Sequence, residues 1–391
     1  MYTPQQDPPV PSAPQQPDWS ADPRLPTARR ILAGRPPLVR VEDADRLRAR
    51  LARVAAGEDL MVVAGDCAED PAECTAPDAA AKTALVGALA DVVEENTGRP
   101  VVRLARIAGQ FAKPRSEPFE RVGGLLLPVY RGHLVNAPEP VAELRAPDPT
   151  RLLAGYDAAR TLMGHLGWSP GTGRPRPAAP VWTAHEALLL DYEAPLLRRA
   201  PDGRLFLSST HWPWIGDRTR DPRGAHVDLL ARVANPVACK VGPSADPGEL
   251  LRVCERLDPD RTPGRLTLIA RMGADAVGSL LPPLVAAVRG AGHPVIWMSD
   301  PMHGNTVKTP SGLKTRYLEA IVREVRGFGA AVRSAGGTAG GLHLETTPDA
   351  VTECVPDRRH DERVADKYTS LCDPRLNPDQ AVAVASAWSA R

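Results

Sequence analysis

The sequence of 391 residues predicts an α/β protein built on a (β/α)8 TIM barrel, with an N-terminal extension and decorated loops. Short apolar runs recur along the chain, and each leads into charged or reactive residues. The segments between these runs are long enough to hold a helix. Functional groups at the C-terminal ends of parallel strands are typical of barrels that carry their site at one face.

Eight strands are predicted. Six clear ones lie at 60–64, 101–104, 237–241, 266–269, 295–298 and 341–344, and weaker ones lie at 187–190 and 205–209. The most informative is 295–298, because it stops abruptly at the sequence Ser-Asp-Pro-Met-His-Gly-Asn. This arrangement delivers the imidazole of His303 to the rim of a sheet, where side chains often perform chemistry.

The chain is longer than the roughly 250 residues of a plain barrel. Its first 26 residues are rich in Pro and Gln and lack apolar periodicity. We therefore predict that residues 1–40 form an extension, partly disordered or docked on a neighbouring subunit, and that 41–391 form the catalytic barrel. A second irregular stretch, 167–180, is predicted to be a surface excursion.

Bulk properties restrict the class of protein. No signal-peptide segment or membrane span is recognisable, which predicts a cytoplasmic protein. The six cysteines are scattered without a C-x-x-C motif, so we expect thiols in a reducing compartment. A net charge of +1 argues against a nucleic-acid or membrane surface. The sequence also lacks the dinucleotide, P-loop, serine-hydrolase and zincin motifs.

Four potential metal ligands follow predicted strands or lie in the turn near the C-terminus: Cys67, His303, Glu345 and Asp373. A thiolate, an imidazole and two carboxylates suit a divalent transition metal such as Mn²⁺, Co²⁺, Zn²⁺ or Fe²⁺ and do not suit calcium. Singly, each has a structural explanation, since a lone Cys is often a core residue and Asp before Pro a turn former. His343 is either a reserve ligand or a residue that supports a ligand, because it faces the same way as Glu345 if the strand continues.

A second set is cationic and lies near the same predicted strand ends: Arg106, Lys113, Arg115, Arg218, Lys240, Arg271, Lys314 and Arg316. In a nearly neutral protein it predicts an anionic substrate bearing phosphate or carboxylate. The alternative for any single Arg is a solvated salt bridge. Lys240 is harder to explain in that way, because an unpaired ammonium inside an apolar strand is costly. Trp212 and Trp214, in a predicted turn at 211–220, either pack or wall a polar pocket.

Five motifs identify a family resemblance: Gly-Asp-Cys-Ala-Glu at 65–69, Arg-Ile-Ala-Gly-Gln-Phe-Ala-Lys-Pro-Arg-Ser at 106–116, Trp-Ile-Gly-Asp-Arg-Thr-Arg at 214–220, Asp-Pro-Met-His-Gly-Asn-Thr at 300–306 and Cys-Asp-Pro-Arg-Leu-Asn at 372–377. The chain resembles class II 3-deoxy-D-arabino-heptulosonate 7-phosphate (DAHP) synthases, the plant and actinobacterial type, from about 58 to 390. The resemblance implies a metal-dependent barrel enzyme that condenses phosphoenolpyruvate with erythrose 4-phosphate and releases phosphate, at the start of the shikimate pathway.

The resemblance also implies residue roles. The implied metal ligands are Cys67, His303, Glu345 and Asp373. Phosphoenolpyruvate would be held by Arg106, Asp217, Arg218, Lys240 and Arg271, and erythrose 4-phosphate by Lys113, Pro114, Arg115 and Ser116, with Lys314 as a further substrate ligand. The residues expected to take part in catalysis are Arg106, Asp217, Lys240 and His303.

Two departures from the family pattern matter. Asp217 stands where the family has Glu, and the chain is short, like the compact members of secondary-metabolite pathways such as phenazine biosynthesis. Two alternatives stay open: the same fold acting on an amino tetrose phosphate, and a silent homologue that binds a partner such as chorismate mutase. Retention of the ligands and cations disfavours the second alternative. We expect a homodimer that binds neither nucleic acid nor membrane.

Overall fold

A computed structural model describes residues 13–168 and 180–389, so the predicted excursion at 167–180 lies almost wholly outside the described residues. Eight parallel strands close into a barrel in which each strand pairs with the next along the chain and the last pairs with the first. They are β1 (Leu60–Gly65), β2 (Val101–Arg106), β3 (Trp182–Glu186), β4 (Trp212–Ile215), β5 (Val237–Val241), β6 (Leu266–Ala270), β7 (Ile296–Ser299) and β8 (Thr338–Glu345). The predicted (β/α)8 barrel is confirmed.

Two of the predicted barrel strands are wrong. Residues 187–190 run as a loop into a short helix, and Leu205–Leu207 pairs with Leu197–Arg199 in a separate hairpin outside the barrel. The true strands, β3 and β4, carry buried polar residues and a proline, so their hydropathy resembles that of turns. In β3 part of this polarity is satisfied inside the protein, for example by the hydrogen bond of 2.8 Å between Nε2 of His185 and Oε1 of Glu193.

The α-helices of seven or more described residues are α1 (Leu25–Gly34), α2 (Val41–Ala55), α3 (Ala76–Thr97), α4 (Arg151–His165), α5 (Ala225–Ala231), α6 (Pro247–Leu257), α7 (Val277–Gly290), α8 (Leu318–Ser334) and α9 (Pro378–Ser386), and a further short helix spans Ala142–Arg145. Several begin at residues that cap the free backbone N–H groups of the first turn. Thr75 caps α3, Asp246 caps α6, and Asn377 forms a capping box with Gln380 at α9.

Residues 13–40 pack on the barrel of their own chain. Between β3 and β4 the chain forms only the short helices Leu190–Glu193 and Ala194–Leu196 and the hairpin, and α1 packs against these helices and against α4. Trp19 and Leu32 are buried in the main core. The described part of the predicted extension is therefore ordered against its own barrel. The boundary at residue 40 and docking on another subunit stay predictions.

The N-terminal end of the barrel is covered by α2, which packs against β1 and β8. Oγ1 of Thr338 donates a hydrogen bond of 3.2 Å to the carbonyl of Ala55 at the end of α2. The opposite end, where the strands terminate in polar residues, is left for a site. Within the described residues, no helix is long and apolar enough to cross a membrane.

Candidate active site

A cavity of about 330 Å³ lies at the C-terminal ends of the barrel strands. All ten predicted substrate-binding residues line it, although they come from loops far apart in sequence: Arg106, Lys113, Pro114, Arg115, Ser116, Asp217, Arg218, Lys240, Arg271 and Lys314. His303 and Asp373, two of the predicted metal ligands, line the same cavity. The structure therefore brings both predicted sets to one place.

The charges around this cavity are unbalanced. Seven lysines and arginines line it, against the acidic residues Glu186, Asp217 and Asp373. Concentrated guanidinium and ammonium groups favour ligands that bear phosphate or carboxylate. Arg316, the remaining member of the predicted cationic set, is fully buried behind the cavity, where its NH1 atom donates to Oε2 of Glu345 at 2.8 Å. Its position is that of a support for Glu345.

Three of the four predicted metal ligands form a compact cluster. Ligand atoms of Cys67, Glu345 and Asp373 all lie within 4.8 Å of one another. The fourth, His303, joins the edge of the cluster, where its Nε2 atom is 3.2 Å from Oε1 of Glu345. The Lys113 ammonium lies between the carboxylates, 3.1 Å from Glu345 and 3.7 Å from Asp373. The donor set is one that divalent transition metals accept.

The turn that presents Asp373 is held by a buried glutamate that sequence reasoning missed. Glu353 accepts hydrogen bonds from the backbone N–H groups of Ser370 and Arg375, both at 2.7 Å. The guanidinium of Arg375 also pairs with Asp66 at 2.8 Å, next to Cys67. These contacts fasten the two chain segments that carry Cys67 and Asp373 to one another.

Both carboxylates of the cluster are held in the ionised form. Burial acts to raise the pKa of Glu345, but the nearby His303, Lys113 and Arg316 outweigh it and hold that pKa well below its ordinary value. For Asp373, burial is likewise opposed by Lys113, and the pKa is lowered. Ionised carboxylates are the form that binds metal ions. The Cys67 thiol differs, because burial and its hydrogen bond with Cys372 raise its pKa well above normal.

Lys240 projects from β5 into the barrel and forms a buried ion pair with Asp300. Burial lowers the pKa of this lysine to about 8, although the Asp300 carboxylate opposes the shift. Asp300 also accepts from Nδ1 of His303 at 2.7 Å, and the His303 and Lys240 charges hold its pKa well below normal against the effect of burial. Asp300 thus links Lys240, a cation of the cavity wall, to the predicted metal ligand His303.

Arg106, at the end of β2, is buried and held from several sides. Its Nε atom donates to the carbonyl of Asp66 at 2.9 Å, and its NH2 atom donates to Glu345 at 3.0 Å. Its NH1 atom lies 2.9 Å from Nε2 of His343. His343, the reserve ligand, therefore contacts Arg106 beneath the cavity and does not belong to the metal-type cluster. Burial holds the pKa of His343 well below normal, which keeps its ring neutral.

Asp217, which departs from the family pattern, organises cations at the cavity wall. Its Oδ1 atom accepts from the backbone N of Gly242 at 2.9 Å and from Nε of Arg220 at 3.1 Å. Its Oδ2 atom accepts from NH1 of Arg271 at 3.1 Å. Arg218 points to the other side, where its NH2 atom donates to Oγ of Ser116 at 2.7 Å.

Glu186, at the end of β3, lines the cavity and was missed by sequence reasoning, because its strand was misplaced. Its Oε1 atom is buried and has no hydrogen-bond partner among the described residues. Burial raises the pKa of Glu186, although Lys113 and Lys240 oppose the effect. A carboxyl group with a raised pKa and a free oxygen is suited to hold or move a proton.

The aromatic pair of the predicted turn lies in β4. Trp214 lines the cavity, packs edge-on against His343 with ring centroids 5.0 Å apart, and lies beneath the Arg106 guanidinium. Trp212 is buried within the barrel. Of the two proposed roles, walling a polar pocket therefore applies to Trp214 and packing applies to Trp212.

The sequence matches the model of the class-II DAHP synthetase family over residues 9–174 and 165–389. It is 56% identical over 377 residues to a probable phospho-2-dehydro-3-deoxyheptonate aldolase of Pseudomonas fluorescens, covering 96% of this chain and 94% of that protein. It is 37% identical over 424 residues to phospho-2-dehydro-3-deoxyheptonate aldolase AroG of Mycolicibacterium smegmatis, covering 95% of this chain and 90% of that protein. It is also 37% identical over 421 residues to the phospho-2-dehydro-3-deoxyheptonate aldolase of Streptomyces coelicolor, covering 95% of this chain and 94% of that protein.

Among solved structures, the phospho-2-dehydro-3-deoxyheptonate aldolase of Francisella tularensis superposes with a TM-score of 0.57 at 15% identity, over 92% of this chain and 94% of that one. This likeness supports the fold. The two actinobacterial alignments run over 424 and 421 positions, more than the 391 residues of this chain. Those relatives therefore contain segments that this chain lacks.

Proposed function

The chain belongs to the class-II DAHP synthetase family, and on that basis we propose that it condenses phosphoenolpyruvate with erythrose 4-phosphate to give DAHP and inorganic phosphate. The observation that carries the proposal is the joining of a cationic cavity to a buried cluster of thiol, imidazole and carboxylate groups. Two phosphorylated substrates repel each other, so an enzyme that joins them needs surrounding cations to hold them together.

We assign the two sides of the cavity to the two substrates. Arg106, Lys240 and Arg271, which lie in or directly after strands β2, β5 and β6, would bind the carboxylate and phosphate of phosphoenolpyruvate, with the exposed Arg218 as a further cation. The loop that follows β2 would bind the phosphate of the aldehyde through Lys113, Pro114, Arg115 and Ser116. Lys314, paired with Asp373 at 2.7 Å, would contribute a further cation at the cluster.

A divalent cation, Mn²⁺ or Co²⁺ first and Zn²⁺ or Fe²⁺ second, fits the cluster of Cys67, His303, Glu345 and Asp373. The donor chemistry suits it, because a thiol and two ionised carboxylates converge here with the imidazole of His303 at their edge. Such a cation would supply Lewis acidity to the aldehyde carbonyl. The chain's own contribution is to fix these donors through Asp300, Glu353 and Arg375.

The remaining chemistry falls to protein groups. The methylene carbon of phosphoenolpyruvate forms a bond to the aldehyde carbon, whose oxygen takes up a proton, and water then adds at the carbon that carries phosphate. The bond between that carbon and the phosphate oxygen then breaks as the added hydroxyl becomes the ketone, and the hydroxyl proton leaves with the phosphate, so one water is consumed. Glu186 has the free oxygen and raised pKa needed to hold that water and accept its proton. Arg106 and Lys240 would stabilise the charge that remains on the phosphate.

We further propose that the enzyme works in the cytoplasm, as a homodimer, in a branch of the pathway that supplies a dedicated product. All six cysteines are unpaired and buried, as expected of a protein from a reducing compartment. The alignments with two actinobacterial relatives contain gaps in this chain, which supports a member with fewer internal segments than those relatives have. Analytical ultracentrifugation would test the dimer.

The experiment for the main proposal follows the loss of phosphoenolpyruvate by ultraviolet absorbance and the formation of DAHP by mass spectrometry, with erythrose 4-phosphate and with its amino analogue as aldehyde. We expect turnover with erythrose 4-phosphate to exceed that with the amino analogue. The reverse preference would favour the modified-aldehyde alternative. Absence of product with both, in metal-supplemented protein, would contradict the proposal.

A further inference from the structure

Gln15 contacts both ends of the loop that follows β2. Its side-chain Oε1 atom accepts a hydrogen bond of 2.9 Å from the backbone N of Arg115, and its carbonyl accepts one of 2.9 Å from NH1 of Arg131. The backbone N of Lys113 also donates to the carbonyl of Arg131 at 2.9 Å. The excursion between residues 113 and 131 is thus pinned at its base, and Gln15 contacts both sides of the base.

The next residues fasten the same segment to a second loop. Gln16 accepts from the backbone N of Leu190 at 3.0 Å and donates to the carbonyl of Leu188 at 2.8 Å. Nε1 of the buried Trp19 donates to Asp191 at 2.7 Å. These partners lie just after Glu186, the last residue of β3. The segment 15–19 therefore bridges the loops that follow β2 and β3, on the catalytic face of the barrel.

The backbone of Gln15 shows that these contacts determine its conformation. Its φ angle is 66°, in the left-handed region that residues with a Cβ atom rarely adopt. Such a conformation persists where surrounding contacts over-determine it. A segment that only connected the chain to α1 would not need a left-handed residue. Gln15 needs this conformation because its side chain and its carbonyl both contact the loop that follows β2.

The pinned loop forms one side of the cavity. Arg115 and Ser116 line it, and Ser116 is held in turn by Arg218. We propose that residues 15–19 act as an N-terminal clamp that positions Arg115 and Ser116 for the phosphate of the aldehyde substrate. The inference rests on the proposed function for the identity of that substrate. Gln15 is a positioning residue, because it acts through the backbone of Arg115.

The test compares three variants by steady-state kinetics. Gln15→Ala should raise the KM for erythrose 4-phosphate by roughly tenfold, the size expected when one hydrogen bond to a positioned group is lost, and leave the KM for phosphoenolpyruvate unchanged. Gln15→Glu keeps an oxygen acceptor and should stay within about twofold of the unmodified enzyme. Asn96→Ala, which removes an exposed amide bonded to the carbonyl of Ser386, is the matched control and should change neither KM.

Hydrogen exchange of the Arg115 amide gives a readout that does not depend on activity. This amide should exchange faster in Gln15→Ala than in the unmodified protein. If Gln15→Ala does not fold, Gln15→Gly deletes the same acceptor while relieving the left-handed backbone. An unchanged KM for the aldehyde, an equal rise of both KM values, or unchanged exchange at Arg115 would overturn the clamp. If the unmodified protein makes no product, but the Arg115 amide still exchanges faster in Gln15→Ala than in the unmodified protein, the proposed function is refuted and the clamp stands.

Discussion

Asp300 lies 2.7 Å from Nδ1 of His303 through its Oδ2 atom, and the same carboxylate pairs with Lys240 inside the barrel. One buried charge therefore sets the orientation of a predicted metal ligand and compensates a predicted substrate-binding cation. Groups that orient a metal-binding histidine commonly affect both metal affinity and activity.

Asp300→Asn should lower kcat/KM by roughly 10–100-fold, because the amide keeps the shape but loses the charge that holds His303 and Lys240. Steady-state kinetics and metal analysis of the purified variant measure the effect. Asp275→Asn is the matched control, since Asp275 is 94% exposed and pairs only with the surface residue Arg323 among the contacts described. Equal activity in the two variants would show that Asp300 has no such role.

Chelation should abolish turnover, and Mn²⁺ or Co²⁺ should restore it, because the proposed condensation needs a polarised carbonyl. His303→Ala should reduce both bound metal and turnover while the protein stays folded. Inductively coupled plasma mass spectrometry measures the bound metal, and circular dichroism checks the fold. Full activity in metal-free protein would contradict the metal proposal. Normal metal content in His303→Ala would show that the ligand set is different.

Lys240→Met should raise the KM for phosphoenolpyruvate and lower kcat, because methionine fills the strand position without supplying a cation. Since burial lowers the pKa of Lys240 to about 8, the cationic fraction of the free enzyme falls as pH rises through that value. The ratio kcat/KM for phosphoenolpyruvate should therefore decrease between pH 7 and pH 9. A profile of the same shape in Lys240→Met would assign the titration to another group.

Cys67 and Cys372 should form a disulfide when oxidant is added to metal-free protein. Their thiols are hydrogen-bonded to each other, and this contact lowers the pKa of Cys372. A metal held by Cys67 would protect the pair, so oxidation should inactivate the metal-free form faster than the metal-loaded form. Mass spectrometry of non-reduced peptides identifies the bond, with Cys372→Ser as control. Equal rates of inactivation for the two forms would argue against protection by metal.

Phe, Tyr and Trp, alone or combined, should leave the rate essentially unchanged at sub-millimolar concentration. Allosteric inhibition requires a second site that biases a global state. The actinobacterial relatives contain segments that this chain lacks, and the described part of the N-terminal extension is packed on its own barrel. Rate measurements across a range of the three amino acids test this. Strong inhibition by any of them would reveal an effector site within the barrel or its loops.

Local sequence patterns were sufficient to predict six of the barrel strands, because an apolar run that ends in a charged residue reports both burial and the position of the strand end. They failed at β3 and β4. There Thr183, His185 and Pro213 gave the sequence the composition of loops. Only the tertiary structure brings His211 to Thr183 and Glu193 to His185, and these partners make the two polar side chains acceptable in a buried strand.

The candidate site shows the same division. The sequence by itself determined the chemical types at the strand ends, and with them an anionic substrate and a mixed donor set. Only the tertiary structure decided that His343 contacts Arg106 instead of the donor cluster, that Glu186 faces the cavity with a free oxygen, and that Gln15 reaches Arg115. These relations join residues that are far apart in the chain, or on strands the pattern misplaced. They depend on barrel closure and loop packing, which no local periodicity encodes.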